Sequence, residues 1–259
     1  MAKTKVTENV YYLRTLIANV IFVSSNDRKD WVLVDAGVGD ASSAILRTAR
    51  KWFNTKPKAI LLTHGHFDHI GALKKLVEIW DVPVYSHPLE MPYLTGRKNY
   101  SPPDPSVGKG LMSLLSPLYP RKSIDLGNKG KPLPEDGSVP FLEDFQWIHT
   151  PGHTHGHVSF YRKTDKVLIA GDAFTTVKQE SFFAVASQAT KVHGPPAYFT
   201  TDWIQAENSV RKLCALEPET VITGHGKPMY GEKLQSELEE MKTHFRTEVV
   251  PKHGKYVNS

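Results

Sequence analysis

Apolar and polar positions alternate along this chain in a pattern that predicts strands first and then strands and helices in turn. Residues 10–13, 18–23 and 31–34 are short apolar runs rich in β-branched side chains, which is typical of buried strands. A turn at Asn26-Asp27 connects the last two runs. The first part of the chain therefore predicts an antiparallel meander.

Helical periodicity follows the third strand. Asp40 is predicted to cap a helix that buries four side chains, namely Ile45, Ala49, Trp52 and Phe53. Further strands are predicted at residues 59–62, 82–85, 145–148, 158–161, 167–170 and 221–223. Further helices are predicted at residues 70–80, 203–214 and 231–245, the second capped by Thr201 or Asp202. This alternation indicates an α/β layered fold.

The run at residues 59–62 ends in a segment rich in metal-binding side chains, Thr63-His64-Gly65-His66-Phe67-Asp68-His69. In extended backbone His64, His66 and Asp68 face the same side, and His69 is expected where the next helix starts. Two imidazoles two residues apart can hold one cation, and the carboxylate beside a third imidazole can hold a second. These donors suit zinc, with iron, manganese or cobalt as alternatives. A histidine-rich loop without metal is the simpler alternative.

Three later segments repeat the same arrangement of a buried strand followed by a glycine and a possible ligand. They are Pro151-Gly152-His153, Gly171-Asp172 and Gly224-His225-Gly226. Glycine lets the backbone approach a site closely. Strands that each end in a ligand are expected to place their ligands along one rim of a sheet.

Composition limits the possible partners and compartments. The chain has 259 residues, of which 40% are hydrophobic and 23% charged, and its net charge is +5 with a pI of about 9.1. The basic residues are scattered, so we expect them to serve solubility and expect no nucleic-acid partner. The single cysteine, Cys214, excludes an internal disulfide and a cysteine-rich zinc site. Without an apolar run of roughly 18 residues or a signal peptide, no membrane partner is expected and cytoplasmic location is predicted.

The segment from residue 88 to 140 differs in composition from the rest. It holds ten of the 18 prolines, which disfavour long helices and central strands, and it contains an apolar island at residues 111–115. We interpret it as a substrate lid inserted into a single domain covering residues 1–259. A contact surface for a homodimer is the alternative.

The pattern His-x-His-x-Asp-His, followed by a later His, Asp and His, resembles the metallo-β-lactamase superfamily. The resemblance covers about residues 10–245 except the insertion. It implies an α/β fold of the αββα type, a four-layer sandwich, here with a proline-rich lid-like insertion. It also implies two divalent metal ions per chain. The first ion's implied ligands are His64, His66 and His153, the second's are Asp68, His69 and His225, and Asp172 bridges both.

The resemblance also assigns residues around these ligands. Asp35 matches a position that supports a metal-binding imidazole through a hydrogen bond. His157 matches a position with a structural role, and His155 is expected to line the pocket. N-acyl homoserine lactonases carry a tyrosine three residues after the bridging aspartate, where this chain has Thr175. Candidates for an equivalent hydroxyl are Tyr93, Tyr100, Tyr119 and Tyr198, and Tyr198 is retained as a pocket residue.

The chemistry expected of such a centre is hydrolysis. Two cations roughly 3.5–4 Å apart share a hydroxide that attacks an electrophilic carbonyl or phosphorus, and Asp68 handles a proton. Asp172 argues against a β-lactam substrate, and His66 replaces the carboxylate of the redox branch. The predicted substrate is a small molecule, a lactone or carboxylic ester. Thioester hydrolysis, phosphodiester hydrolysis and a non-catalytic metal-stabilised interaction protein are the alternatives.

Overall fold

The computed structural model describes residues 5–108 and 110–257. Residues 1–4, which belong to the N-terminal stretch where no signal peptide is expected, lie outside this range. The strands are β1 Val10–Thr15, β2 Ala18–Ser24, β3 Trp31–Val34, β4 Ala59–Leu61, β5 Val84–Ser86, β6 Gly130–Pro132, β7 Ser138–Val139, β8 Leu142–His149, β9 Val158–Arg162, β10 Val167–Gly171, β11 Thr220–Thr223 and β12 Met229–Tyr230. The α-helices are α1 Ser42–Trp52, α2 Leu73–Trp80, α3 Met91–Leu94, α4 Leu111–Leu115, α5 Phe182–Ser187, α6 Trp203–Cys214 and α7 Gly231–His244.

The first six strands form one sheet in sequence order. β1, β2 and β3 pair antiparallel, which confirms the predicted meander. β3, β4 and β5 then run parallel to one another, and β6 joins as a parallel edge strand. Parallel neighbours end at the same edge, so the segments that follow β3, β4 and β5 leave this sheet side by side.

The second sheet has the order β12-β11-β10-β9-β8-β7. Its neighbours β9 and β10 are antiparallel, whereas β10 and β11 are parallel. The segments after β10 and β11 therefore also leave from one edge. The predicted fold class consists of two β-sheets and helices, and the structure contains both. Neither β7 nor the short β12 was predicted, because strands of two residues give no periodic signal.

Two predicted helix starts are wrong by one to three residues. Asp40 lies one position before the cap residue of α1, and its carboxylate accepts the Ser42 N–H at 3.3 Å. α2 begins only at Leu73, because the chain first makes a turn in which the His69 N–H donates to the His66 carbonyl at 2.9 Å. His69 is therefore part of the turn and does not begin the helix.

The chain divides into two compact units, and the predicted insertion contributes to both. The first unit comprises the chain up to Tyr100 and Lys122–Gln146, and the second comprises Ser101–Arg121 and the chain from Trp147 onwards. The longest element in residues 88–140 is α4 with five residues, and proline-containing β6 lies at a sheet edge. The described residues of this segment form no long helix and no central strand, as expected, whereas the single domain and the lid stay predictions.

Aromatic packing dominates the core of the first unit. The indole of Trp31 is fully buried and stacks on Phe53 with ring centroids 4.5 Å apart, while Trp80 meets it edge to face at 5.7 Å. Such pairs add about 0.5–1.5 kcal/mol each beyond the area they bury. This core fixes β3 against α1 and α2, and so fixes the edge from which the histidine-rich segment leaves. Among the described residues, no helix combines the length and apolar character that crossing a membrane requires.

Candidate metal centre

The first group of predicted ligands follows β4, and their geometry depends on the neighbouring parallel strand β3. Asp35 comes directly after β3, in the left-handed region with φ +59°, and its N–H donates to the Leu61 carbonyl at 2.9 Å. Gly71 anchors the far end of the segment, because its N–H donates to the Gly37 carbonyl at 2.7 Å. An added Cβ at Gly71 would lie 2.3 Å from the Gly39 nitrogen, so only glycine permits this approach.

All four side chains of this group are buried and close to one another. The His64 and His66 rings approach at 3.1 Å between Nε2 and Nδ1, as expected for neighbours in extended backbone. His64 and His69 present ligand atoms within 4.8 Å of each other, and so do Asp68 and His69. Asp68 lies in the turn that also carries His69. This turn, and not the extended part of the loop, brings Asp68 and His69 together.

Asp35 orients one of these imidazoles. Its Oδ2 lies 2.8 Å from the Nδ1 of His69, and both groups are fully buried. The carboxylate also accepts the N–H of Thr63 at 2.9 Å and its hydroxyl at 2.8 Å. A carboxylate accepts hydrogen bonds, so His69 carries its proton on Nδ1 and keeps the lone pair of Nε2 for a metal. The predicted supporting role of Asp35 agrees with this geometry.

The loop has a second anchor that the sequence did not indicate. The backbone N–H of Gly65 donates to Glu90 at 3.0 Å and to the Tyr100 hydroxyl at 2.9 Å. The Tyr100 hydroxyl in turn donates to the Glu90 carboxylate. Burial and the nearby Glu90 charge raise the pKa of Tyr100 well above 10, so its hydroxyl keeps its proton.

The second group of predicted ligands belongs to the other sheet. Asp172 follows β10 and His225 follows the parallel strand β11, so both come to the same edge. Oδ2 of Asp172 lies 3.1 Å from Nε2 of His225 and 3.5 Å from Nε2 of His153. All three residues are at most 2% exposed. One carboxylate oxygen of Asp172 therefore faces two imidazole nitrogens.

Gly152 brings His153 close to the N-terminal part of α6. Its φ is +134°, and an added Cβ would lie 2.4 Å from the backbone nitrogen of Ala206. The Gly152 carbonyl also accepts the N–H groups of Thr201 and Asp202, just before α6. The Asp202 side chain caps α6 by accepting the Gln205 N–H at 2.9 Å, which selects it over Thr201 as the cap. These contacts fix where His153 leaves the backbone.

His157 supports Asp172 through its backbone. The Asp172 N–H donates to Nε2 of His157 at 2.9 Å, so this nitrogen is an acceptor. The proton of the neutral ring is then on Nδ1, 2.9 Å from the Thr150 hydroxyl oxygen. Both ring nitrogens of His157 thus form hydrogen bonds within the protein, in agreement with its predicted structural role.

Two polar side chains hold the other imidazoles of the second group. Nδ1 of His153 lies 3.3 Å from the hydroxyl oxygen of Thr200, whose own proton goes to the Pro196 carbonyl at 2.9 Å. His153 therefore donates from Nδ1 and directs Nε2 towards Asp172. The side-chain amide of Gln179 lies 3.0 Å from Nδ1 of His225. Thr200 and Gln179 carried no motif, and only their position in the fold connects them with the ligands.

The donor set in both groups fits divalent metal ions. Each group consists only of imidazoles and carboxylates, the nitrogen and oxygen ligands used by zinc and by other first-row metals. All seven side chains are buried, and buried carboxylates and imidazoles need a compensating partner. Hydrogen bonds at Nδ1 of His69 and His153 prepare the opposite nitrogens for coordination.

Comparison with known proteins identifies the family. A family model described as the metallo-beta-lactamase superfamily matches residues 13–225, which is most of the chain. The chain belongs to the metallo-β-lactamase superfamily. A Bacillus subtilis (strain 168) protein named "Probable metallo-hydrolase YflN" is 49% identical over 237 residues, covering 90% of each chain. This superfamily membership confirms the predicted family and, with the two sheets and helices, its fold.

Solved structures of the same superfamily align along nearly the whole chain. The di-iron-bound form of TTHA1623 is 28% identical with a TM-score of 0.57, covering 92% of this chain and 98% of that one. The BLEG-1 B3 metallo-β-lactamase is 26% identical with a TM-score of 0.60, covering 92% and 99%. These relatives and the buried donor set support a metallo-hydrolase.

Three other predicted positions have different surroundings. His155 is exposed, and its carbonyl accepts a hydrogen bond from Nε2 of His149 at 2.8 Å. The Thr175 hydroxyl donates to the Val177 carbonyl at 2.9 Å. Tyr198 is buried beside Phe199, whose ring centroid lies 6.5 Å from that of His153. The pocket roles of His155 and Tyr198 stay predictions.

Proposed function

We propose that this protein is a dinuclear-metal hydrolase that opens a small ester-like bond, with a lactone or carboxylic ester as substrate. All seven predicted ligands then bind two divalent ions, with Asp172 shared between them. Zinc is the proposed metal. Iron is the first alternative because a structural relative is described in a di-iron-bound form, and manganese and cobalt follow from the donor types.

The observation that carries this proposal is the orientation of the donors within each group. In the first, Asp35 fixes the Nδ1 proton of His69. In the second, one oxygen of Asp172 faces the Nε2 atoms of His153 and His225. The hydrogen bonds at Nδ1 of His69 and His153 leave the Nε2 atoms of these two buried imidazoles available for coordination.

The residues around the ions have distinct roles. When bound, two metal ions lower the pKa of a water molecule and polarise the oxygen of the bond to be cleaved. Asp68, which is 5% exposed, is proposed to accept or return a proton at its carboxylate while it also acts as a ligand. Asp35, His157 and Thr200 orient ligands and hold no substrate.

The ester or lactone class is supported by the apolar character of the inserted segment. Leu111, Leu114, Leu115 and Leu118 are exposed on α4 and the turn after it. The N–H of Met112 donates to the Glu180 carbonyl at 3.3 Å. Glu180 follows Gln179, the residue in contact with His225. Within the second unit, the leucine-bearing helix is thus attached to a segment that touches a ligand, which suits a substrate with an acyl chain.

The deciding experiment measures metal content and hydrolysis on the same preparation. Metal per chain is determined by elemental analysis on protein purified without chelator. Turnover is then measured on a lactone, a carboxylic ester, a thioester, bis-p-nitrophenyl phosphate and a β-lactam. Two ions per chain with lactone or ester turnover support the proposal. Asp172→Ala should lose an ion and activity, and retained hydrolysis at normal metal content would rule out shared coordination.

Phosphodiester hydrolysis is the second candidate, favoured by the basic pI of about 9.1. It predicts turnover of bis-p-nitrophenyl phosphate that weakens as salt is raised, because phosphate binding is screened. The β-lactam tests the likeness to the B3 enzyme. We expect no turnover of it, because true metallo-β-lactamases usually lack the bridging aspartate that Asp172 would supply. Metal without turnover on any of these would favour an interaction protein. Cytoplasmic location and a homodimer formed through the insertion stay predictions.

A further inference from the structure

We infer that Tyr100 and Glu90 are positioning residues for the metal centre, because together they hold the backbone between His64 and His66. This inference rests on the metal site of the proposed function. It assigns to the insertion a role in building the ligand loop, in addition to any role as a lid. Neither residue is a ligand, and neither is proposed to touch substrate.

The first step is the position of the contact. Gly65 lies between His64 and His66, so the direction of its N–H is coupled to the directions of both neighbouring imidazoles. That N–H is shared between Glu90 at 3.0 Å and the Tyr100 hydroxyl at 2.9 Å. A shift of either acceptor therefore rotates the peptide that separates the two ligands.

The second step is that the loop is shaped to receive Tyr100. An added Cβ at Gly65 would lie 2.6 Å from the Tyr100 hydroxyl oxygen, closer than side chains tolerate. The Tyr100 ring also packs on the His66 imidazole, with centroids 4.5 Å apart and planes at 60°. Tyr100 thus restrains the loop through its hydroxyl and through its ring, and a side chain at position 65 would displace the hydroxyl.

The third step is that the two anchors are themselves held in place. Glu90 ends a short 3-10 turn that follows β5, the parallel neighbour of the strand β4 that carries the ligand loop. Its side chain is fully buried. Tyr100 is 8% exposed and stacks on Tyr93 with centroids 4.0 Å apart and planes 8° from parallel. Rigid support of this kind is what a positioning residue needs.

The hydrogen-bond directions distinguish positioning from proton transfer. The Tyr100 hydroxyl donates to the Glu90 carboxylate, and its oxygen accepts the Gly65 N–H. Its only proton is therefore committed within the protein. A buried carboxylate also needs donors, and Tyr100 and Gly65 supply two for Glu90. The trio works as a unit in which each member satisfies another.

The test compares Tyr100→Phe and Glu90→Gln with wild type. Tyr100→Phe keeps the ring and removes the hydroxyl, whereas Glu90→Gln keeps an amide oxygen that can still accept the Gly65 N–H. Tyr161→Phe is the matched control, because Tyr161 is also 8% exposed and donates one hydrogen bond, to the Leu216 carbonyl at 3.1 Å, far along the chain from the loop. Zinc affinity is measured by competition with a chromophoric chelator, and the visible spectrum of each cobalt-substituted protein reports ligand geometry.

Tyr100→Phe is expected to lower the affinity for one of the two zinc ions roughly 10- to 100-fold, the usual effect of losing a residue that supports a ligand. It is also expected to shift the visible absorption bands of the cobalt-substituted protein. Glu90→Gln should lie between this variant and wild type, and Tyr161→Phe should bind as wild type does. If Tyr100→Phe keeps both affinities and the cobalt spectrum, the inference is overturned, whatever its thermal stability. Should Tyr100→Phe not fold, unchanged binding and spectrum in Glu90→Gln would overturn it instead.

These outcomes separate the inference from the proposed function. Wild-type protein that binds two ions, with variants that bind equally well, overturns the inference and leaves the hydrolase proposal intact. Wild-type protein that binds no ion overturns both. A single ion in wild type overturns the dinuclear proposal, and the same comparison of variants then decides the inference on that ion.

Discussion

Replacing Asp35 by Asn changes one charge and almost no volume, and it tests how the protein prepares His69 for a metal. Asp35 has φ +59°, a conformation that asparagine adopts more readily than most residues, so the backbone should tolerate the change. The asparagine oxygen can still accept the Thr63 N–H, and the Thr63 hydroxyl can rotate to accept from the new amide. The contact with His69 cannot be kept in the same form.

The magnitude follows from the contact between Asp35 and His69. The amide N–H would face the protonated Nδ1 across the present 2.8 Å, so the two donors conflict in a fully buried site. An unsatisfied buried donor costs about 1–3 kcal/mol. The alternative is for His69 to move its proton to Nε2, which occupies the nitrogen needed by the metal. We therefore expect metal affinity to fall roughly 10- to 100-fold, or about 1.4–2.7 kcal/mol.

Two measurements separate these costs. Urea unfolding in the presence of a chelator gives the structural loss, and chelator competition on the folded protein gives the loss in metal affinity. Asp30→Asn is the control, because it removes the same charge from a half-exposed carboxylate whose partner is Lys58 on the surface. Asp35→Asn that binds both ions as tightly as wild type would refute the assigned role of the Asp35–His69 hydrogen bond.

Three further predictions test other parts of the structure. In urea unfolding, Gly152→Ala should destabilise the protein far more than Gly39→Ala, because a Cβ at Gly152 would lie 2.4 Å from Ala206. Gly39 has open space around it, so Gly39→Ala should cost only the strain of a non-glycine residue at φ +54°, about 1–2 kcal/mol. Equal losses of stability in the two variants would contradict the close approach at Gly152. Burial opposes ionisation of Glu207, but hydrogen bonds from two arginines lower its pKa below 4.5. Its carboxylate therefore stabilises the folded state at neutral pH, and Glu207→Gln should lower the free energy of unfolding by roughly 1 kcal/mol, a small value because the arginines are exposed. This difference should disappear as the pH falls through the pKa of Glu207. A difference in urea unfolding that does not change with pH would contradict the assigned role of the carboxylate. Burial raises the pKa of Cys214 to about 11, so iodoacetamide should label it slowly at neutral pH until urea unfolds the protein, and equally fast labelling of folded protein would contradict this.

Local patterns in the sequence were sufficient for the longer strands and for a prediction of the metal ligands. The runs at β2, β3 and β10 were recognised because strands of four or more apolar residues differ clearly from their polar surroundings. The proximity of His64 and His66 follows from backbone geometry over three residues. The family followed from the spacing His-x-His-x-Asp-His and the later His, Asp and His, because this pattern resembles that of the superfamily.

Asp35 and His157 followed from the family resemblance, whereas only the tertiary structure brings Glu90, Tyr100 and Gln179 to the predicted ligands. Gly65 meets Glu90 and Tyr100 only because β4 and β5 are parallel neighbours and the following turns leave from the same edge. Gln179 reaches His225 across 46 residues of sequence without any motif. Such contacts depend on strand pairing and on the packing of buried side chains, both of which join residues far apart in the chain. A local pattern carries no record of those pairings, and this is why the sequence predicted the ligands but not the contacts that Glu90, Tyr100 and Gln179 make with them or with the backbone between them.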